Sequence, residues 1–141
     1  MRRFNFSNEI SQIDYFKKLI LKFKNQSDTF ILALKSKFEQ NDINISNQTA
    51  NSFEFSFWGL DLITKTEISF DKDEQSFKQG ELNTYLIKDK KHFLIMSYKF
   101  DSVGNIGDGC LENDFADFYY VDLVNSLIGY TKENNIKFQL K

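Results

Sequence analysis

The fold is indicated first by residues 53–70, which read FEFSFWGLDLITKTEISF. Phenylalanines alternate with polar side chains over 53–57, and apolar or threonine side chains recur at every second position over 62–70. A two-residue repeat of this kind is typical of a β-strand, whose successive side chains point to opposite faces. The residues between the two runs, 59–61, include a glycine and supply a turn. The stretch therefore predicts a β-hairpin.

A second hairpin is predicted immediately downstream. Residues 82–88 and 92–100 flank a polar turn, Asp89-Lys90-Lys91. The returning strand carries apolar side chains on both faces, with Leu94 and Met96 on one and Ile95 on the other. Apolar residues on both faces are typical of a strand that is covered on each side. The pattern predicts a central place in the sheet for this strand.

Helical periodicity flanks the hairpins on both sides. Between residues 10 and 38 the apolar positions advance in steps of three and four, which indicates an amphipathic helix. The polar residues 25–28 predict a break into two helices, and one long helix is the alternative because no Gly or Pro forces the break. The same spacing recurs over 115–128, with Gly129 suited to the end of a third helix. Alternation over 136–140 predicts a short final strand.

These elements define an α+β class. The sequence predicts two N-terminal helices, a four-stranded antiparallel meander made of two hairpins, a third helix and a short C-terminal strand. Helices and strands that come in separate runs favour α+β over an alternating parallel fold. At 141 residues the chain has a common single-domain size, and no Gly- or Pro-rich linker divides it, so one domain is expected over residues 1–141.

Residue types that carry catalysis or bind metals are scarce. The chain has one histidine, His92, and one cysteine, Cys110, whereas a zinc site needs several such ligands. Residues 101–112 begin with Asp and end with Glu like a calcium-binding EF-hand loop, but Val103 and Ile106 occupy the places of a ligand and of the required glycine. We therefore predict no catalytic residues, no metal site and no cofactor. Whether the acidic stretch binds a divalent cation stays open.

The charge distribution is uneven. Residues 1–40 carry eight basic and four acidic groups, a net charge of +4, whereas residues 101–131 carry six acidic groups and no basic one, a net charge of −6. Aromatic rings lie within the same acidic stretch. Rings that anchor a partner, with carboxylates that orient it, are typical of a protein-binding face. The predicted face comprises Asp101, Asp108, Glu112, Asp114, Asp117, Tyr119, Tyr120 and Asp122.

A small acidic chain with such a face fits the physical description of an inhibitor of a basic protein. The functional hypothesis is a bacterial immunity protein that masks a basic toxin or nuclease domain. A single cysteine and the absence of a signal peptide predict a cytoplasmic location, and acidic residues that repel phosphate argue against nucleic acid. No apolar run approaches the ~20 residues that cross a bilayer, so no membrane is expected as a partner. The sequence does not determine the oligomeric state.

Two other hypotheses belong to different classes. One is a ligand-binding or enzymatic α+β cone, with an apolar pocket between the helices and a curved sheet and with Tyr85, Tyr98 and His92 as its polar groups. The other is a subunit of a larger assembly, which the sixteen phenylalanines favour.

Overall fold

The computed structural model describes residues 6–71, 76–106 and 115–137. Two helices and five strands occur in these ranges, and the strands form one antiparallel sheet in the order β1-β2-β3-β4-β5. The α+β class and the antiparallel meander are thereby confirmed. The elements are α1 (Phe6–Gln40), β1 (Ile45–Ser46), β2 (Ser52–Phe57), β3 (Leu60–Asp71), β4 (Ser76–Lys88), β5 (Lys91–Phe100) and α2 (Phe115–Glu133).

The prediction of two N-terminal helices is wrong, because α1 is one helix of 35 residues. The polar stretch 25–28 stays helical since part of it faces the sheet. Ser27 is buried, and its hydroxyl lies 2.5 Å from the hydroxyl of Thr66 in β3. The hydrogen bond of this buried hydroxyl stabilises the helical conformation of the segment.

The meander has five strands and not the predicted four. A short strand, β1, precedes the first hairpin and pairs with β2 through Ile45 and Phe55. The predicted third helix is confirmed, although it continues past Gly129 to Glu133. At the predicted C-terminal strand, residues 136 and 137 have no strand conformation, and residues 138–141 lie outside the described part of the chain.

The predicted central position of β5 is wrong as well, since β5 is an edge strand. A register shift changes which side chains share a face: Met96 pairs with Thr84, whereas Leu94 pairs with the next residue of β4, Tyr85. The extra residue, Ile95, is a β-bulge that places Leu94 and Met96 on opposite faces. The mixed apolar pattern of the sequence therefore reflects the bulge and not burial on both sides.

Both helices contribute to one apolar core on a single face of the sheet. Phe38 of α1 packs edge-on against Phe53 and Phe55 of β2, with ring centroids 5.6 and 4.9 Å away. Phe30 makes similar contacts with Phe100 of β5 and Phe115 of α2. The buried apolar residues include Phe23, Phe30, Ile31, Leu34, Phe38, Phe53, Phe55, Leu62, Leu82, Leu86, Phe100, Ile106, Phe115, Tyr119, Leu123 and Leu127.

Two elements extend past this core at the same end. The first buried residue of α1 among those described is Phe23, so the helix over residues 10–22 contributes no fully buried side chain. The long β3–β4 hairpin reaches beyond its neighbours, because β2 pairs only with residues 60–65 of β3 and β5 only with residues 80–88 of β4. A cleft lies between α1 and β3 where the two elements leave the core, and Ile20 and Ile68 are among the residues that line it.

Candidate protein-binding surface

The acidic stretch of the sequence contributes the outer surface of α2. Phe115, Tyr119, Leu123 and Leu127 are buried at intervals of four residues and fix the face that contacts the core. The side chains outside this face are exposed to solvent. They include Asp117, Phe118, Val121 and Asp122, and we call these four residues the α2 ridge.

The α2 ridge combines apolar and acidic side chains. Phe118 is 54% exposed and Val121 is 55% exposed. Sequence reasoning counted both among the apolar positions of the helix and left them out of the predicted face. The signal that identifies them is the spacing of the buried set: a helix whose core face follows steps of four from Phe115 leaves Val121 about half a turn, and Phe118 about a third of a turn, from the centre of that face.

Asp117 and Asp122 each contact another element. Asp117 forms an ion pair with Lys37 of α1 at 2.5 Å, and this pair joins the two helices at the surface. Asp122 accepts a hydrogen bond from the hydroxyl of Tyr98 in β5. Both carboxylates thus have a partner on a neighbouring element while they remain exposed.

The two predicted tyrosines lie below the ridge. Tyr119 is fully buried, and its hydroxyl lies 2.6 Å from that of Thr84, which in turn lies 2.8 Å from that of Thr64. Burial raises the pKa of Tyr119 well above its ordinary value. Tyr120 is half-buried against Phe38. Tyr119 therefore belongs to the core, and Phe118 is the ring that α2 presents to solvent.

Asp101 lies apart from α2, in the turn that follows β5. Its carboxylate accepts hydrogen bonds from the backbone amides of Val103 and Asn105, both at 3.0 Å, and from the Asn105 side chain at 2.8 Å. Burial raises the pKa of Asp101, but these hydrogen bonds outweigh it, and the net pKa lies below the ordinary value. Asp101 thus organises its own loop. The remaining predicted residues, Asp108, Glu112 and Asp114, lie outside the described residues.

The open face of the sheet carries a hydrogen-bonded cluster of its own. Glu67 and Glu81 are direct cross-strand neighbours, and the side-chain amide of Asn83 donates to both carboxylates, at 3.4 and 3.2 Å. Tyr85 donates to Glu67 at 3.1 Å, and Lys65 lies 3.3 Å from the same oxygen. Burial, followed by the contact with Glu67, raises the pKa of Tyr85. These contacts offset part of the repulsion between the two neighbouring carboxylates.

The polar groups expected for a ligand-binding cone do not converge. Tyr85 and His92 lie on the open face with their rings 6.0 Å apart, whereas Tyr98 lies on the covered face and contacts Tyr119. The cleft at the projecting end has a volume of about 420 Å³ and different walls, namely Ile20, Phe23, Lys24, Ser27, Asp28, Ala50, Asn51, Thr66, Glu67, Ile68 and Phe100.

Two further observations concern ligand chemistry and membranes. Within residues 6–71, 76–106 and 115–137, no three His, Cys, Asp or Glu side chains are grouped as a metal site requires. Neither α1 nor α2, in the part described, combines the length and the apolar character of a bilayer-spanning helix.

The chain matches no protein-family model, no curated protein and no solved structure.

Proposed function

We propose that the chain is a non-catalytic protein-binding domain that holds a basic partner on the α2 ridge. The observation that carries the proposal is the exposure of Phe118 and Val121 between two carboxylates. Exposed apolar side chains bounded by charges of one sign are typical of an interface: the apolar centre is buried on binding, and the charges select and orient a partner of opposite sign.

The two kinds of side chain contribute differently. Covering the exposed half of the Phe118 ring is worth about 1 kcal/mol from apolar area alone. Asp122 is already oriented by Tyr98, so little side-chain entropy is lost when it meets a cation. Asp117 is shared with Lys37, and a partner's Arg or Lys has to compete with that lysine. Phe118 and Asp122 are therefore the residues on which affinity depends most.

The more specific form of the proposal is a cytoplasmic immunity protein of a bacterial toxin. The net charge of −6 over residues 101–131 suits a partner whose active site is basic, such as a nuclease domain. A single cysteine suits a reducing compartment.

The test compares partner capture by wild-type and variant chains from the native cell extract. Phe118→Ser with Val121→Ser removes the apolar centre, and Leu32→Ser on α1 is the matched control because Leu32 is equally exposed, at 59%. We expect a basic protein that is retained by wild type and by the control, lost with the double variant and released by salt. Retention of the same proteins by all three chains contradicts the proposal.

Charge reversal gives the quantitative version once the partner is purified. The triple variant Asp114→Lys, Asp117→Lys and Asp122→Lys should weaken binding at least about tenfold, mostly through slower association. Circular dichroism verifies that the variant keeps its helices. Unchanged affinity would reject this face.

One observation, the cleft, supports the alternative function of an apolar ligand site. Its wall surface is mostly apolar, and Ile20 and Ile68, both partly exposed, are among the residues that line it. If the cleft binds small apolar ligands, one fluorescent hydrophobic dye per chain should bind saturably. Ile68→Trp fills the space and should abolish this binding. Dye binding that survives this substitution argues against it.

A further inference from the structure

The exposed side of α2 carries a row of side chains that runs beyond the α2 ridge. Phe118, Val121, Asn125 and Ile128 follow one another in steps of three, four and three residues, and we call them the α2 seam. At about 100° per residue these steps keep all four side chains within an arc of about 80° around the helix. The three apolar members are 54%, 55% and 37% exposed, and no element in the described part of the chain covers them.

The spacing of the α2 seam is that of the contact positions in a coiled coil. Alternating steps of three and four residues keep the side chains in a row nearly parallel to the helix axis, where a second helix can pack its own side chains between them. From residue 118 to residue 128 the row is about 15 Å long, or nearly three turns. A single polar residue in such a row, here Asn125, is typical of contacts that select the register of the partner helix.

Acidic side chains flank the α2 seam on both sides. Asp117 lies on the side of α1, where it pairs with Lys37, and Asp122 lies on the side of β5, where it accepts a hydrogen bond from Tyr98. The Asp117 side chain stays 63% exposed in its pair, so a second cation can reach it. Charges at flanking positions choose the partner in a coiled coil. Residues 101–131 include no basic side chain, so a second copy of α2 offers these aspartates no cation within that range.

We propose that the partner's contact element is a basic amphipathic α-helix that packs lengthwise on the α2 seam. The apolar row of that helix lies against the seam, and its Lys or Arg side chains reach Asp117 and Asp122. The inference rests on the proposed function and adds the conformation of the contact element, which is a helix and not a loop or an extended strand. It also extends the contact by nearly two turns beyond the α2 ridge, to Asn125 and Ile128.

The test titrates the full chain with three synthetic peptides and follows binding by fluorescence anisotropy. The first peptide has three heptads with leucine at the contact positions and with lysine or arginine at the flanking positions. The second has the same composition in an order that breaks the heptads, and the third carries two central prolines that prevent a helix. Wild type should bind the first peptide at least about tenfold more tightly than the other two, and salt should weaken that binding because the contact joins opposite charges.

Variants of α2 locate the contact. Ile128→Ser lies outside the α2 ridge and should weaken binding of the helical peptide at least about fivefold, because an apolar contact is lost. Leu32→Ser on α1 is the matched control, since Leu32 is exposed and lies on the other helix, and it should bind like wild type. Asn125→Leu should strengthen binding about threefold or more, because a polar group leaves the apolar row. Circular dichroism verifies that each variant keeps its helices.

Three outcomes would overturn the inference and leave the proposed function standing. A proline-containing peptide that binds as tightly as the helical one, with both lost in the Phe118→Ser, Val121→Ser chain, means that the α2 ridge holds a basic segment without a helix. Binding that neither Ile128→Ser nor Asn125→Leu changes means that the helix does not lie along the α2 seam. In the third, no peptide binds while the chain still captures a basic protein through the α2 ridge.

A different result separates the two proposals. If no peptide binds and the native extract yields no basic protein that depends on the α2 ridge, both the inference and the proposed function fail.

Discussion

Replacement of Gly80 by alanine should destabilise the protein sharply, although it adds one methyl group. Gly80 of β4 lies directly opposite Phe100 of β5, and the phenylalanine ring lies over it. A methyl carbon at this position would lie 2.5 Å from Cε2 and 2.7 Å from Cε1 of that ring, and closer still to Cζ. Ordinary contact between carbon atoms needs about 3.5–4.0 Å, so the ring has to move by about 1 Å or more.

The ring has little room for that movement. Phe100 is buried, with the rings of Phe30 and Phe23 at 5.1 and 6.0 Å. Overpacking of a filled core typically costs about 1–3 kcal/mol, and the entropy that alanine saves in the unfolded chain offsets about 0.5–1 kcal/mol. Contacts this short put the cost at the upper end of that range, so Gly80→Ala should lower the free energy of unfolding by about 2 kcal/mol, which is roughly a thirtyfold change in the folding equilibrium.

Urea unfolding followed by far-ultraviolet circular dichroism measures this effect, and two comparisons make it specific. Gly129 lies in α2, where an added methyl meets no described atom within 4 Å, so Gly129→Ala should stabilise by about 0.5–1 kcal/mol. Phe100→Ala alone should cost about 3–5 kcal/mol, and the double variant with Gly80→Ala should cost about 2–3 kcal/mol less than the sum, since the clash is gone. A stable Gly80→Ala chain, or additive effects in the double variant, would refute the contact.

Three other substitutions test the polar contacts. In the same urea assay Tyr119→Phe should lower the free energy of unfolding by about 1–2 kcal/mol, whereas Tyr120→Phe should change it by less than about 0.5 kcal/mol, because only the first removes a buried hydroxyl. Since the pKa of Tyr119 is raised, wild type should also lose stability as the pH rises above about 10. Tyr119→Phe should reduce that loss. Asp101→Asn should flatten the acid limb of the stability profile, because a lowered carboxyl pKa gives stability above about pH 4 that is lost as the pH falls. Lys37→Met should cost at most about 1 kcal/mol, and salt should shrink the difference, because its ion pair with Asp117 is exposed.

The sequence predicted those parts of the fold that depend on local periodicity. The two hairpins and α2 follow from repeats of two and of three to four residues that lie within one element. What the sequence did not reveal depends on partners distant in the chain. Ser27 looked like a helix break because its partner, Thr66, is 39 residues away. The bulge at Ile95 shifts the faces of β5, and no residue type marks it.

In the candidate site, too, the sequence predicted local features and missed those that depend on distant partners. Charge is a property of the sequence, so the acidic stretch was visible at once, but the orientation of each side chain depends on which side of α2 meets the core. Tyr119 and Phe118 are adjacent aromatic residues, and periodicity alone allowed either to be buried. The hydroxyl groups of Thr84 and Thr64 resolve the choice, because they offer a hydrogen-bonding site in the core that suits tyrosine and not phenylalanine.

The exposed apolar side chains of the two helices have a common cause. The covered face of the sheet is filled by rings from both helices, so apolar residues beyond that face are left in contact with water. Ile13 and Ile20 on α1 and Phe118 and Val121 on α2 are such residues. Exposed apolar groups beside charges of one sign are typical of binding surfaces, and on α2 the neighbouring charges are those of Asp117 and Asp122. This combination is the physical reason to expect that the proposed basic partner binds at the α2 ridge and not at an arbitrary part of the surface.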